Sequence, residues 1–316
     1  MRIVSLLPSA TEILFALGLG DCVVGVSHEC DFPAQARSRR VVIRSRIPHD
    51  AAPGEIDRLV REFVARGESL YRVDGDALRE LAPDVIATQD LCHVCAASPN
   101  DLADALSSLQ PQPQIISLNP HNLADVCKDI LTVGDAADRA DAAREVVTQF
   151  EARISAVADA VAGIMERPKV VCLEWLVPFY VGGHWVPEMV ERAGGQDVLA
   201  RANHRSFPVH VKDVIAAAPE VILLMPCGYD ADQAAAEYRA MQFPPEWNAS
   251  SAIRGASVFA LDANGYFSRP GPRLADGVET LAHIFHPQSI SIAVPAGRIR
   301  RITNTRAATL AKHATP

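Results

Sequence analysis

Seven short runs of apolar and β-branched residues recur along the chain, and helix-like segments separate them. The runs are Ile3–Leu6, Val23–Val26, Val85–Thr88, Ile115–Leu118, Lys169–Leu173, Val221–Met225 and Val258–Leu261. Continuous rather than alternating hydrophobicity is typical of parallel strands that are buried on both faces. Because these strands alternate with helices, the pattern predicts an α/β fold built on parallel sheets.

One amphipathic segment interrupts this alternation near the middle of the chain, between residues 135 and 166. Its apolar residues are spaced three and four apart, at Ala143, Val147, Phe150, Ile154, Val157, Val161 and Ile164. This spacing predicts one helix on the order of 45 Å long, and Pro168 marks its end. A helix of that length is too long for a crossover inside one small domain. It therefore predicts a rigid link between two lobes.

Two local patterns occur in the same order on both sides of this segment. A helix with an early Glu and a Gly stop occurs at 11–21 and again at 187–197. A helix end, an Ala-Pro-acid turn and a strand occur at 77–88 and again at 213–224. The repetition predicts duplicated lobes. The predicted parts are an N-terminal α/β lobe at 1–134, a linking long helix at 135–167, a C-terminal α/β lobe at 168–287 and a basic tail at 288–316.

The first helix carries its own start and stop signals. Ser9 and Glu12 have the S-x-x-E spacing of a capping box, and Gly18 follows the last apolar residues of the helix. We therefore interpret Glu12 as a capping residue.

Charge is distributed unevenly in a chain whose formal net charge is −8. The residues after Pro287 include no acid, and their basic members are Arg298, Arg300, Arg301, Arg306 and Lys312. Such a tail suits an acidic surface or nucleic acid, or is a solvated appendage packed at one edge. The acidic body argues against nucleic acid as the main partner. No apolar run approaches the roughly 20 residues that cross a bilayer, so we expect no membrane insertion.

The start of the chain and its cysteines bear on location. Met1 leads directly into the first strand pattern, without a basic region followed by an apolar segment. The cysteines number seven, with irregular spacing, which favours reduced thiols over a disulfide framework. These features predict a cytoplasmic location for the chain as written, and a periplasmic one if a leader was removed.

Two segments resemble a known family. RIVSLLPSATEILFALGLGDCVVGVSHECDFP resembles the opening of the cobalamin- and siderophore-type substrate-binding proteins of ABC importers, and NGYFSRPGPRLADGVETL resembles their closing strand and helix. The resemblance covers about residues 1–287 and favours the cobalamin-binding branch. It implies a binding protein for a corrinoid or related metal chelate, with the ligand in the cleft between the lobes and an ABC-transporter permease as partner.

The resemblance also implies which residues contact the ligand and the permease. The ligand-binding candidates are His28, Glu29, Cys30, Phe32, Cys92, His93, Trp175, Phe179, Tyr180, His184, Trp185, Phe207, Tyr266 and Arg269. Aromatic rings suit a flat macrocycle, and an Arg suits an amide, carboxylate or phosphate group. For docking, one acid on each lobe is implied, and Asp101 and Asp213 have the nearest positions. The better explanation of both acids is that a negative charge is favourable at a helix N-terminus.

The loop after the third apolar run departs from the family pattern, because it holds Cys92, His93 and Cys95. A single Cys-x-x-Cys lacks the paired spacing of a structural zinc site. Two interpretations stay open. In one, Cys92, His93, Cys95, His28 and Cys30 bind a free metal or a corrinoid cobalt; in the other, the cysteines fill tight loop spaces as small apolar residues.

The motifs of common enzymes are missing from the sequence, including the phosphate-binding loop, the nucleophile elbow and the H-E-x-x-H helix. We therefore predict a binding protein with no fixed cofactor, in which a corrinoid or a transition metal would be the ligand. The alternative is a cytoplasmic metal-dependent enzyme or metal-handling protein that uses the Cys/His cluster.

Overall fold

The computed structural model describes residues 1–48, 51–89, 102, 105–107 and 109–303. The chain divides into two compact units. Unit 1 comprises the described residues of Met1–Arg153 together with the short segment Arg269–Ala275. Unit 2 comprises Ile154–Ser268 and the described residues from Asp276 onward. The polypeptide thus leaves unit 1 and later returns to it for a few residues.

A six-stranded sheet forms the centre of unit 1. Its strands are β1 (Ile3–Ser5), β2 (Val23–Ser27), β3 (Arg40–Ser45), β4 (Tyr71–Val73), β5 (Val85–Gln89) and β6 (Gln114–Leu118). Their order across the sheet is β4-β3-β2-β1-β5-β6. Only β3 and β4 pair in antiparallel fashion. The carboxyl ends of the five parallel strands therefore share one edge, where open α/β sheets bind ligands.

Helices cover this sheet and bury its apolar side chains. The helices are α1 (Pro8–Ala16), α2 (Pro53–Ala65), α3 (Gly75–Leu81), α4 (Leu123–Ala136) and the first part of α5 (Ala140–Val161). Leu78 of α3 belongs to the same fully buried cluster as Val4 of β1 and Ile86 of β5. Burying such a side chain contributes about 1.5–3 kcal/mol. The apolar runs of the sequence therefore supply both the strands and core residues of the unit.

The predicted helix at 135–166 is shorter than expected at both ends. Residues 135 and 136 belong to α4, and Asp138 has a φ of 54°, a left-handed conformation that separates α4 from α5. At the other end α5 stops at Val161, ahead of Gly163. Of the apolar residues that predicted the helix, Ala143 to Val161 lie in α5, and Ile164 lies beyond its end. The division between the two units falls within α5.

A close helix contact explains this turn. A Cβ on Gly134 of α4 would lie 2.4 Å from the Cβ of Ala143 on α5, which is closer than two such atoms can approach. The Arg139 amide donates to the Gly134 carbonyl at 2.7 Å and closes the turn between the helices. Gly134 is therefore required because it has no side chain, which lets the two helices approach, and not because of its wider range of backbone conformations.

The sheet of unit 2 is built mainly from residues after Pro168. Its strands are β7 (Lys169–Leu176), β8 (Phe179–Val181), β9 (Gln196–Asp197), β10 (Phe207–Pro208), β11 (Val221–Leu224), β12 (Ser257–Leu261) and β13 (Ile299–Ile302). The order is β10-β8-β7-β11-β12-β13, with β9 beside β7. Strands β7, β11 and β12 are parallel, whereas β8, β10 and β13 pair in antiparallel fashion.

Seven helices follow α5 in the described part of the chain. They are α6 (Val186–Arg192), α7 (Val211–Ala216), α8 (Ala231–Ala240), α9 (Pro245–Ala249), α10 (Ser251–Gly255), α11 (Ala263–Tyr266) and α12 (Leu274–Phe285). The core of unit 2 includes Phe179, Trp247 and Tyr238, which lie with the buried residues of β7, β11 and β12.

Part of the predicted basic tail, Ile299–Ile302, is a strand of the sheet. Strand β13 pairs along β12, and Arg300 donates two hydrogen bonds to Asp232, at 2.7 and 2.9 Å. Arg298 donates to Asp276 at 2.9 Å. Arg298 and Arg300 thus bind acids of their own unit, whereas the guanidinium of Arg301 lies 5.9 Å from the centre of the Phe259 ring. Arg306 and Lys312 lie outside the described residues.

The seven predicted strands are all present as β1, β2, β5, β6, β7, β11 and β12, which confirms the α/β class with parallel sheets. The six strands that the sequence did not indicate are short, or lie in antiparallel pairs. The predicted domain limits, which treat the helix and the tail as separate parts, stay a prediction.

The acid Asp129 on α4 makes the stability of the protein depend on pH. Burial, together with the nearby Asp125 carboxylate, raises the pKa of Asp129 to about 7. A folded-state pKa above the unfolded value means that the carboxyl stabilises the fold below about pH 4 and loses this contribution as the pH rises through 7. Asn mimics the protonated acid and does not titrate. We expect Asp129→Asn to raise the midpoint of thermal unfolding by ~2–4 °C at pH 8 and to change it little at pH 4.5.

The matched control is Asp135→Asn, since Asp135 is an exposed acid on the same helix. It should leave the difference between the two pH values as in the wild type. Equal midpoints for wild type and Asp129→Asn at pH 8 would show that Asp129 does not oppose folding.

Candidate functional site

The loop after β2 lies at the carboxyl edge of the unit 1 sheet and contains four predicted ligand residues, His28, Glu29, Cys30 and Phe32. The Cys30 amide donates to the Ser27 carbonyl and turns the chain sharply at the strand end. His28 is half-buried and accepts a hydrogen bond on Nε2 from the Ser45 amide at 3.4 Å. Glu29 and Phe32 are exposed. The loop therefore presents Glu29 and Phe32 outward.

Cys30 points inward and is only 4% exposed. Thr11 donates to its Sγ at 3.0 Å, and Sγ lies 3.9 Å from the Ser5 carbonyl. Burial raises the pKa of the Cys30 thiol to about 11. A metal binds the thiolate, so this environment argues against Cys30 as a metal ligand. It fits the small, buried cysteine that was the other interpretation.

Glu12 is not a capping residue, and that prediction was wrong. Helix α1 begins at Pro8 with Leu7 as its N-cap, so Ser9 lies inside the helix and its hydroxyl does not cap it. Glu12 is 4% exposed, and its carboxylate accepts hydrogen bonds from two arginines of the returning segment. Arg273 donates from Nε at 2.8 Å and from Nη2 at 2.5 Å, and Arg269 donates from Nη1 at 3.4 Å.

Arg269, a predicted ligand residue, is 8% exposed and binds groups of its own unit. Its Nη1 donates to Asp31 at 2.5 Å and its Nη2 donates to the Glu29 carbonyl at 3.1 Å. Burial alone would raise the pKa of Asp31, but the hydrogen bond and charge of Arg269 outweigh it and hold that pKa below its usual value. We call Glu12, Asp31, Arg269 and Arg273 the arginine cluster. It positions the loop after β2.

The carboxyl end of β7 and its neighbour β8 in unit 2 carry two of the predicted aromatic residues. Trp175 and Tyr180 are register partners in the β7–β8 pair, and both are half-buried. The Trp175 indole N–H donates to the Val177 carbonyl at 3.0 Å, which fixes the ring. These two rings therefore remain accessible at the strand end.

Two other predicted ligand aromatics belong to the core. Phe179 is 4% exposed, with its ring 5.6 Å from that of Trp247. Trp185 is 6% exposed, and its indole N–H donates to the Phe267 carbonyl at 2.8 Å. Their clustering in the sequence reflects the packing of β8 and α6. These positions argue against both residues as ligand contacts.

His184, Phe207 and Tyr266 are half-buried. The His184 ring is 5.5 Å from that of Trp185, and its backbone has a φ of 52°. The guanidinium of Arg201 lies 6.0 Å from the centre of the Phe207 ring, and that of Arg298 lies 4.1 Å from the Tyr266 ring. The rings of Phe207 and Tyr266 thus each have a cation nearby.

Tyr229 joins the accessible aromatic group, although the sequence did not indicate it. Its ring meets Trp175 edge-on, with centres 6.2 Å apart, and its carbonyl accepts from the Asn264 amide. Burial, with the nearby Glu237 carboxylate and its hydrogen bond, raises the pKa of Tyr229 to about 12. Tyr229 follows β11 in a Gly-containing turn, and only its place after a predicted strand could have signalled it. We call Trp175, Tyr180 and Tyr229 the aromatic group.

Four predicted site residues, Cys92, His93, Cys95 and Asp101, lie outside the described residues. Within the parts of the chain that are described, no three metal-binding side chains come together. Asp213 of α7 accepts a hydrogen bond from the His210 amide at 2.9 Å, as an acid at a helix start does. Its role in docking stays a prediction.

Comparison with known proteins identifies the family. The family model described as periplasmic binding protein matches residues 3–264, more than four fifths of the chain. The chain belongs to this family. A vitamin B12-binding protein of Vibrio cholerae is 25% identical over 88% of this chain and 86% of its own length. A cobalamin-binding protein of Halobacterium salinarum is 24% identical over 92% of this chain and 70% of its own length.

A solved structure supports the fold independently. The periplasmic heme binding protein from Pseudomonas aeruginosa superimposes with a TM-score of 0.69 at 18% identity, over 96% of this chain and 98% of that one. At this identity the similarity concerns the fold alone.

Family membership confirms the predicted resemblance and the prediction of a binding protein rather than an enzyme. The comparisons do not support the enzyme alternative, the metal-binding function or the cytoplasmic location; the family model that matches is described as periplasmic binding protein. None of the described helices combines the length and apolarity needed to span a bilayer.

The arginine cluster predicts a large effect of Glu12 on stability. Removing one partner of a buried ion pair costs about 3–5 kcal/mol, because the other charges stay buried without compensation. We expect Glu12→Gln to lower the midpoint of thermal unfolding clearly. Asp21→Asn is the control, since Asp21 is a fully exposed partner of Arg39 in the same unit, and it should change little. Equal effects of the two variants would contradict the importance of the cluster.

Cys30 should resist alkylation in the folded protein. With a pKa of about 11, its thiol should react with iodoacetamide at pH 7.5 on the order of 100-fold more slowly than a free thiol. Half-buried Cys22 is the internal control, and mass spectrometry after digestion distinguishes the two sites. Both should react in urea. Equal labelling of Cys30 and Cys22 in native protein would show that Cys30 is not enclosed as described.

Proposed function

We propose that this protein binds a corrinoid, a cobalamin-like molecule, and delivers it to an importer. The observation that carries the proposal is the similarity to two relatives, named for vitamin B12 and cobalamin, over about nine tenths of the chain. The related class of metal chelates includes haem, which the relative of similar fold binds.

The chemistry of the aromatic group supports a large, flat ligand. Indole and phenol rings bury much area and lose few rotatable bonds on binding, which suits the face of a flat macrocycle. Trp175, Tyr180 and Tyr229 are all half-buried at the carboxyl end of the unit 2 sheet, and so have surface to offer.

Tyr229, as a neutral phenol, is a poor axial ligand for a haem iron. A ferric haem takes an axial ligand from the protein, such as a His or an ionised Tyr. The Tyr229 phenol is hydrogen-bonded to Glu237 and has a pKa of about 12, which disfavours the phenolate. A cobalamin brings an axial base of its own and needs no such group.

Transport requires a partner and a location. We propose an ABC-transporter permease as partner and the outer side of the cytoplasmic membrane as location, because the relatives include a substrate-binding lipoprotein of an ABC transporter and periplasmic proteins. That the ligand binds between the lobes, and that Asp101 and Asp213 dock to the permease, stay predictions.

A titration with cyanocobalamin tests the proposal. We expect saturable quenching of tryptophan fluorescence and calorimetric heat at one ligand per chain. Trp175→Ala should weaken binding about tenfold or more, as the loss of a central aromatic contact does. Trp185→Phe is the control, since Trp185 is a core residue, and it should retain the affinity. A parallel titration with haemin, followed by its Soret band, compares the two chelates.

Two outcomes would reject the corrinoid. One is neither heat nor quenching up to millimolar cyanocobalamin. The other is tight binding of haemin with none of cyanocobalamin, which would keep the binding function and change its ligand.

A further inference from the structure

Phe32 is an exposed aromatic residue with one braced face. Its relative exposure is 44%, unusual for a Phe on a short loop. The guanidinium carbon of Arg273 lies 3.9 Å from the centre of the ring. A planar cation at this distance attracts the ring through its quadrupole and covers one of its faces. The Phe32 ring therefore has limited freedom even though much of its surface meets solvent.

Arg273 is itself held in place. Its two hydrogen bonds to Glu12, from Nε and Nη2, make a bidentate pair, the most directional contact that an Arg forms with a carboxylate. Glu12 is buried within α1, so the pair links the Phe32 ring to a rigid helix. The Arg273 side chain is 17% exposed, which leaves little of it to bind a ligand directly.

The backbone next to Phe32 is held by the other arginine. Arg269 binds the Asp31 carboxylate and the Glu29 carbonyl, which precede Phe32 on the loop. Arg37 lies 3.9 Å from the second oxygen of Asp31. One arginine thus positions the loop, and a different one positions the ring.

We propose that Arg273 is a positioning residue that holds the Phe32 ring as a preformed platform for a flat ligand, with Glu12 fixing Arg273. The inference rests on the proposed function and deepens it, because it names a residue that keeps the binding surface rigid without itself needing to touch the ligand. A ring ordered before binding loses less entropy on complex formation, which increases affinity without a new contact. Lys would not replace Arg273, since its ammonium neither stacks flat on a ring nor forms a bidentate pair.

A double-mutant cycle tests whether Arg273 acts through Phe32. We expect Arg273→Ala to weaken cyanocobalamin binding about 3- to 10-fold, the range of one cation–π contact. Phe32→Ala should weaken it at least as much, and the double variant should be no worse than Phe32→Ala alone. Arg273→Lys should bind as poorly as Arg273→Ala. Arg58→Ala is the control, because Arg58 is an exposed arginine of α2 in the same unit that pairs with Glu62, and it should keep wild-type affinity.

Additive losses in the cycle, or unchanged affinity of Arg273→Ala, would overturn the inference. The proposed function would still stand in that case, because it depends on binding of cyanocobalamin by the wild-type protein. Thermal unfolding of every variant separates loss of binding from loss of fold.

A second measurement needs no ligand and decides the matter if cyanocobalamin does not bind at all. In Phe32→Trp the new indole reports the order of position 32 by acrylamide quenching, after subtraction of the signal of the same protein without the substitution. We expect quenching of this indole to increase when Arg273→Ala is added and to stay constant when Arg58→Ala is added. Equal quenching with and without Arg273 would show that the ring is not braced, and would overturn the inference.

Discussion

The organisation of unit 1 depends on one interaction, the ion pairing of the buried Glu12 carboxylate with Arg269 and Arg273. Two guanidinium groups come out of water to meet it, and neither would be stable there without an anion. Because both arginines lie on the returning segment Arg269–Ala275, this one carboxylate fixes where that segment lies. It also determines indirectly where the loop after β2 and its Phe32 ring lie. A single helix residue therefore organises three separate parts of the sequence.

Parallel topology explains why the accessible candidate residues follow strands in both units. A parallel sheet collects its carboxyl ends at one edge, and the loops there are free to vary because the strands supply the rigidity. In the described part of unit 1 this edge carries a charged cluster and the exposed Phe32 ring. In unit 2 it carries Trp175 and Tyr229, two rings that meet edge-on. The two edges therefore offer different chemistry although the lobes follow a similar plan.

The sequence predicted the fold better than the site, for physical reasons. Buried parallel strands need apolar residues at every position, so β1, β5 and β11 could be recognised from local composition alone. Short antiparallel strands such as β13 are made by pairing, and pairing with a distant strand leaves no local pattern. Phe179 and Trp175 look alike in the sequence, but one packs in the core and the other lies at the strand end. The role of Glu12 could not be predicted locally, because its partners lie more than 250 residues away.

That separation has a consequence for synthesis of the chain. A ribosome makes Glu12 among the first residues, yet Arg273 emerges only after most of unit 2 has been translated, 261 positions later. Domains generally fold as units during translation, from the N-terminus onward. Unit 1 cannot do so completely, because until the returning segment arrives its buried carboxylate lacks its counter-charges. A nascent chain that stalls before residue 269 would hold a sheet and helices without this closing contact, and would be a natural substrate for chaperones or proteases.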